Sequence, residues 1–380
     1  MGFIFNVPSK IYLDRGISAS AGDILSAEGK KKAMLVCDSN LSKMGLIDGV
    51  AGSLKKSGIE TILFDKIAGE PPYTLVQEAA DIAKKENVDV IIGMGGGSAL
   101  DTAKGTMIAN ANGDILQFAD TFDAVEHKGV MLVLVPTTFG TGSEVTDGCV
   151  LSVPEEEKKA TIWGKNTAAD IALIDPELAV GLPPSITAST GMDALSHAVE
   201  AFTSPMANPV SDVIAIDAIR TILENLPECV KDGKNLESRE NMCRGAMMAG
   251  VAFNNGGLNQ GHELAHALGA KFHMPHGLAC ALSLPLVIKA NGEYMQDRIR
   301  TLADLFGVDA AGKSYPVIED ELVDKIVSLR KDLGLPGFRE SGIDEAAADL
   351  VGDAWDSEPK GEYDFNPDRQ YIIDFVMNSL

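Results

Sequence analysis

Four of the chain's six histidines lie in one short stretch, Asn259 to Ala279: His262, His266, His273 and His276. Side chains four residues apart on a helix share a face, and His262 and His266 have that spacing, with His276 following a proline turn. A carboxylate version of the pair, Asp193 and His197, stands upstream in G-M-D-A-L-S-H. One helical histidine is usually structural, whereas an Asp/His pair and a four-histidine cluster together suit a divalent cation. The stretch also contains H-E-L-A-H, the H-E-x-x-H pattern of zinc metallopeptidases, in which the glutamate is the general base. The longer peptidase pattern needs a third histidine at position 272. That residue is Phe272, and His273 comes one position late. A metallopeptidase is therefore the runner-up.

A second region suits a nucleotide. In G-M-G-G-G-S, Gly95, Gly96 and Gly97 allow close backbone approach. A helix starting near Ser98 would point free N–H groups at a pyrophosphate. The run is not the G-x-G-x-x-G fingerprint, because position 98 is serine. The next strand runs into P-T-T-F-G-T-G-S, where Thr137, Thr138, Thr141 and Ser143 offer hydroxyls to a ribose or a nicotinamide amide. Ordinary turn chemistry accounts for the same residues. Asp38 ends a strand, where a carboxylate can accept hydrogen bonds from an adenosine ribose and repel a 2′-phosphate, which favours NAD over NADP. Capping the next helix is an equally good role for it.

Elements must bring these residues together. Up to about residue 180, strands alternate with helical patterns: "KKAMLVCD", "ETILFD", "VDVIIGMGGGS" and "VMLVLVPTT" against "LIDGVAGSLKKSG", "TLVQEAADIAKKEN" and "ALDTAKGTMIAN". Such alternation predicts an α/β domain with a mostly parallel, Rossmann-like sheet that binds ligands beyond the strands' carboxyl ends. After Pro183-Pro184 the pattern is almost wholly helical. The division is an α/β dinucleotide-binding domain over 1–182 and an all-helical metal-binding and catalytic domain over 183–380, with the active site in the cleft between them. "EEEKK" at 155–159 reads as an exposed turn.

The bulk numbers bound the function. A formal charge of −23 repels nucleic acid and anionic membranes, which excludes both as partners. The five cysteines are odd in number, scattered and without C-x-x-C, which suits reduced, buried thiols in the cytoplasm. No signal peptide is evident, and no apolar stretch reaches the length of a membrane span.

The chain resembles the iron-dependent (group III) alcohol dehydrogenases, in the branch with lactaldehyde reductase, 1,3-propanediol dehydrogenase and butanol dehydrogenase. The resemblance rests on four ordered motifs: G-G-G-S-x-x-D-x-A-K (Gly95 to Lys104), P-T-T-x-G-T-G-S-E (Pro136 to Glu144), G-M-D-A-L-x-H (Gly191 to His197) and G-H-E-x-A-H-x-L-G-A-x-x-x-x-P-H-G (Gly261 to Gly277). It implies a metal held by Asp193, His197, His262 and His276, and a nicotinamide beside His266, which becomes the candidate catalytic residue. H-E-x-x-H is then coincidental, Glu263 is no catalytic base, and His273 is structural or pocket-lining. Asp38, Gly97, Ser98, Thr137, Thr138, Thr141 and Lys159 carry over as NAD(H) contacts, Lys159 near the ribose. Two positions depart from relatives: Glu70 stands where many have asparagine, and Gly148 where they often have a polar side chain.

Three imidazoles and a carboxylate suit Fe2+, with Zn2+ as substitute, because ferrous iron readily accepts a substrate oxygen as a further ligand. The implied reaction moves a hydride between NAD(H) and a small primary alcohol or aldehyde, with the metal as Lewis acid on the substrate oxygen. A homodimer or larger homo-oligomer is implied as well. A non-redox relative with the dehydroquinate-synthase-like fold is a further alternative. The phosphate-binding basic residues it needs are not evident near the histidines.

Overall fold

In the computed structural model, β-branched and aliphatic runs bounded by glycine and proline form strands. Residues 2–69, 71–156, 158–361, 363 and 365–380 are described. Contacts divide the chain into two units, Asn6–Gly181 and Leu182–Leu380 with the first five residues.

In the first unit the strands are β1 (Lys10–Leu13), β2 (Lys32–Asp38), β3 (Glu60–Ile67), β4 (Val90–Gly95), β5 (Thr121–Phe122), β6 (Met131–Pro136), β7 (Gly148–Val153), β8 (Lys158–Trp163) and β9 (Ile171–Ile174). The main sheet has the order β1-β9-β6-β4-β2-β3, and every pairing in it is parallel. Its helices are α1 (Ala21–Ala27), α2 (Ser39–Lys43), α3 (Asp48–Lys56), α4 (Tyr73–Lys85) and α5 (Gly97–Asn112).

Side chains alternate across a strand, so one β2 run supplies two cores. Met34 and Val36 pack with Val76, Ala80 and Leu100 of α4 and α5. Ala33, Leu35 and Cys37 pack with Leu25 and Leu54 of α1 and α3. Burial on both faces explains why these strands read as unbroken apolar runs. The four expected strands and three expected helices of this half all form.

The edge strand β1, strand β9 and the small sheet β5-β8-β7 had no sequence expectation. The run 155–159 corrects one. Residues 154–156 make a 3-10 turn, but Lys158 and Lys159 open β8, pairing antiparallel with Val153 and Ser152. Backbone pairing to β7 satisfies the donors and acceptors that a solvated turn would leave to water.

The second unit is helical among the described residues: α6 (Pro184–Thr203), α7 (Pro209–Lys231), α8 (Leu236–Gly256), α9 (Gln260–Phe272), α10 (His276–Asn291), α11 (Gln296–Leu305), α12 (Tyr315–Asp332), α13 (Ala348–Ser357) and α14 (Arg369–Ser379). Pro183 and Pro184 start α6, where a missing N–H costs nothing. Asn208 and Ser211 cap α7 reciprocally. His273 ends α9 in the left-handed conformation, and Pro275 starts α10, so the chain turns between His266 and His276. No helix among the described residues is long and apolar enough to cross a membrane.

Candidate functional site

Helix α6 sets Asp193, His197 and Glu200 at i, i+4 and i+7, one face of one helix. Asp193 is 2% exposed, and its Oδ1 accepts no hydrogen bond. That oxygen is surrounded by three ring nitrogens: His262 Nε2 at 3.6 Å, His276 Nε2 at 3.6 Å and His197 Nε2 at 3.8 Å. These spacings are too long for hydrogen bonds. Ligands about 2.0–2.2 Å from a shared tetrahedral ion would stand about 3.4 Å apart. A buried, orphaned carboxylate oxygen facing three imidazole nitrogens fits a cation, and the four residues the resemblance implies as ligands converge here.

His262 is oriented by Glu200, whose Oε1 lies 2.6 Å from His262 Nδ1. Glu200 Oε2 accepts from the backbone N–H groups of Asn259 and His262 at 2.9 and 3.1 Å. A Cβ on Gly261 would come within 2.6 Å of Glu200 Oε1, so glycine is what lets this carboxylate approach. A histidine ligand whose second ring nitrogen donates to a carboxylate is held in the tautomer that presents the other nitrogen. The His197 ring stacks between Phe253 and His262, with both centroids at 4.4 Å.

Electrostatics agree with the geometry. Burial pushes the Asp193 carboxyl up, but the His197, His276 and His262 rings outweigh it and hold it well below the usual range. Burial lowers His262, and Glu200 reverses that and raises it well above an ordinary histidine.

Cys280, one turn after His276 on α10, belongs to the same cluster. Its sulfur lies 3.6 Å from His276 Nε2 and 3.7 Å from His262 Nε2. Donor atoms of Asp193, His262, His276 and Cys280 all lie within 4.8 Å of one another. Burial pushes the Cys280 thiol up to about 12. Sequence reasoning missed both Glu200 and Cys280. The i+7 position after Asp193 and the i+4 position after His276 were the signals.

His266 is half-buried, its ring stacked at 5.7 Å on His276 and edge-on to His262 at 6.3 Å. Glu263 is occupied elsewhere. Its Oε1 accepts from the Gly361 N–H at 2.7 Å and the Tyr363 hydroxyl at 2.8 Å. The H-E-x-x-H stretch thus sends one histidine to the cluster and its glutamate to a structural bond, which is not the arrangement of a peptidase. His273 is exposed at the end of α9.

In the first unit, parallel pairing of β4 and β6 sets Gly95 opposite Pro136 and brings two loops to adjacent carboxyl ends. A Cβ on Gly96 would sit 3.1 Å from Thr138 Oγ1, and one on Gly97 2.8 Å from Thr141 Cγ2. Gly95 has φ 151°, which favours glycine. Helix α5 starts here with no side-chain cap. Gly96, Gly97, Ser98, Thr138 and Thr141 are partly open, whereas Gly95, Thr137 and Ser143 are buried. A glycine cradle at an uncapped helix N-terminus fits a pyrophosphate.

Ser143 donates to Asp101 Oδ1 at 2.7 Å, and Val150 N–H donates to Asp101 Oδ2 at 3.1 Å. Lys104, fully buried, donates to the carbonyls of Thr146 and Gly148 at 3.0 and 2.6 Å. The Asp and Lys of G-G-G-S-x-x-D-x-A-K therefore tie α5 to the segment after the threonine loop. Asp38 accepts from Asn40 N–H at 2.6 Å as the cap of α2. Lys159 is half-buried on β8. Gly148 has a steric reason, since a Cβ there would fall 2.6 Å from the Trp163 ring. Glu70 lies outside the described residues.

Residues 8–176 match the iron-containing alcohol dehydrogenase family, and residues 187–360 match its C-terminal part. The chain is 35% identical over 348 residues to an NAD-dependent methanol dehydrogenase of Bacillus methanolicus, covering 91% of each chain. It is 38% identical over 348 residues to a 1,3-propanediol dehydrogenase of Klebsiella pneumoniae, covering 90% of each. A solved 1,3-propanediol oxidoreductase superposes with a TM-score of 0.94 at 34% identity over the whole of both chains. With its buried Asp/His cluster and its glycine-threonine cradle, this chain belongs to the iron-containing alcohol dehydrogenase family.

Proposed function

We propose that this protein is an NAD-dependent oxidoreductase that interconverts small primary alcohols and aldehydes with the help of a divalent ion, Fe2+ by preference and Zn2+ as substitute. One observation carries the reading: the buried Asp193 Oδ1 faces the Nε2 atoms of His197, His262 and His276 at 3.6–3.8 Å and accepts no hydrogen bond. Ferrous iron is preferred because three nitrogens and one oxygen are borderline donors, and iron accepts further ligands readily.

Asp193, His197, His262 and His276 would hold the ion, which when bound acts as a Lewis acid on the alcohol or aldehyde oxygen. With an ion on Nε2, His262 would keep its one proton on Nδ1 and donate it to Glu200, which fixes the ring's orientation. The apolar faces of Phe253 and the packed helices keep bulk water from Asp193 and His197, both under 5% exposed. His266, half-buried and stacked on His276, is suited to pass the alcohol proton to solvent or to orient the nicotinamide.

For NAD(H), the support is the glycine cradle at the start of α5. Gly96, Gly97 and Ser98 offer backbone to the phosphates, with Gly95 setting the turn. Thr138, Thr141 and Lys159 offer polar groups from neighbouring elements. Thr137 and Ser143 are buried, and Ser143 already serves Asp101. Asp38 keeps its preference for NAD over NADP through its charge, even while capping α2. Five buried cysteines outside any disulfide suit a cytoplasmic home. Assembly into a homodimer or larger homo-oligomer rests on the resemblance alone.

The test is an anaerobic screen of NADH oxidation across small aldehydes with Fe2+ supplied, run beside Asp193→Ala. The wild type should reduce at least one aldehyde and bind one ion per chain, and the variant should bind none. Absence of NADH and NADPH oxidation with every aldehyde would overturn the proposal.

A further inference from the structure

We infer that Cys280 is a thiolate ligand of the ion held by Asp193 and the histidines, so that this centre contains a sulfur donor beside its nitrogens and carboxylate. The inference rests on the metal reading above. Its basis is a set of distances in which the sulfur behaves like the carboxylate oxygen. Cys280 Sγ stands 3.6 Å from His276 Nε2 and 3.7 Å from His262 Nε2, and Asp193 Oδ1 stands 3.6 Å from both of those nitrogens. A sulfur at about 2.3 Å and a nitrogen at about 2.1 Å from one ion, at an angle of roughly 110° to each other, would be separated by about 3.6 Å.

The orphaned Asp193 Oδ1, in a residue 2% exposed, aims into the same space independently of the cysteine. All four donor atoms fall within 4.8 Å of one another, which allows a single centre to reach each of them.

A thiol that only packs there explains less. An S–H has one proton, so it can donate to one imidazole nitrogen and not to both. Once the Nε2 lone pairs are given to an ion, neither accepts a hydrogen bond, and a neutral S–H at 1% exposure would face two occupied nitrogens. Ligation removes that conflict. The S–H bond breaks, its proton leaves to solvent, and the sulfur electron pair forms the metal–sulfur bond, with no change of oxidation state. Helix α10 fixes the pairing, because His276 and Cys280 are one turn apart on it.

Cobalt(II) reports sulfur directly. Loaded into the metal-depleted wild type, it should give an intense near-ultraviolet sulfur-to-cobalt absorption together with visible ligand-field bands. In Cys280→Ser the near-ultraviolet band should vanish while the visible bands persist, marking an ion still held by the other ligands. X-ray absorption of the zinc-loaded wild type, which needs no variant, should show a sulfur shell at about 2.3 Å beside nitrogen and oxygen at about 2.0–2.1 Å. Bound cobalt without the charge-transfer band, a band that survives Cys280→Ser, or a zinc site without sulfur would each overturn the inference and leave the metal centre standing. Failure of the wild type to bind either ion would overturn both.

Discussion

Glu200 Oε1 lies 2.6 Å from His262 Nδ1, deep in the helical unit, where Glu200 is fully buried. The same carboxylate caps the backbone N–H groups of Asn259 and His262, so one side chain sets both the start of α9 and the tautomer of its histidine. Glu200→Gln keeps the shape and removes the charge. Outer ligand partners of this kind commonly contribute 10- to 100-fold in metal affinity. Chelator-competition titration should therefore show ion affinity falling by about 10- to 100-fold in Glu200→Gln. Equal affinities in the two proteins would mean that Glu200 serves the fold alone.

His266 touches the cluster without joining it. His266→Ala should keep one ion per chain by elemental analysis and lower turnover by about 10²- to 10⁴-fold, the usual range for a positioned proton-transfer group. A limb should also disappear from the pH profile. Wild-type turnover at every pH would remove His266 from the chemistry.

Gly97 and Thr141 are matched in size. The Cβ added by Gly97→Ala would meet Thr141 Cγ2 at 2.8 Å, closer than side chains tolerate. NADH dissociation constants should rise by about tenfold or more, equivalent to about 1.4 kcal/mol. The double variant with Thr141→Ser, which deletes that methyl, should recover part of the loss. If Gly97→Ala binds NADH like the wild type, the cradle is not where the cofactor sits.

Glu144 is 3% exposed, and burial pushes its carboxyl from an ordinary 4.5 to about 7. The folded state therefore holds this proton more tightly than the unfolded chain. Stability from that preference is present in full below pH 4.5 and is lost as pH rises to about 7. Glu144→Gln, permanently neutral, should unfold at a higher temperature than the wild type at pH 8, by on the order of 3 kcal/mol in stability. At pH 4.5 the two should nearly coincide. A constant difference across that range would show that Glu144 is not the titrating group.

Much of the fold was legible because its periodicities are local. The runs that became β2, β4 and β6 are apolar on both faces, and α3 ends two residues before Gly58, which has φ 72°. Strands β1, β9 and β5 were not legible, since short strands are defined by partners remote in the chain, as Lys10 is by Ile171 and Thr121 by Ile162. The lysines of 155–159 went to a strand and not to a turn because Lys158 and Lys159 pair with the nearby Val153 and Ser152, in a hairpin whose charged composition resembles a loop.

At the site, residue type and helical spacing alone marked Asp193 with His197 and the histidines from His262 to His276 as a metal candidate, because i and i+4 neighbours share a face in any helix. The glycine run likewise declared its close approach, since only glycine leaves that room. Which groups complete the centre was decided by packing between helices distant in sequence. Glu200 reaches His262 only because Gly261 has no side chain, Cys280 arrives only because α10 lies along α6, and Glu263 is drawn off by Gly361 and Tyr363. Distances between side chains from different helices are set by how whole faces pack, and no local spacing encodes that.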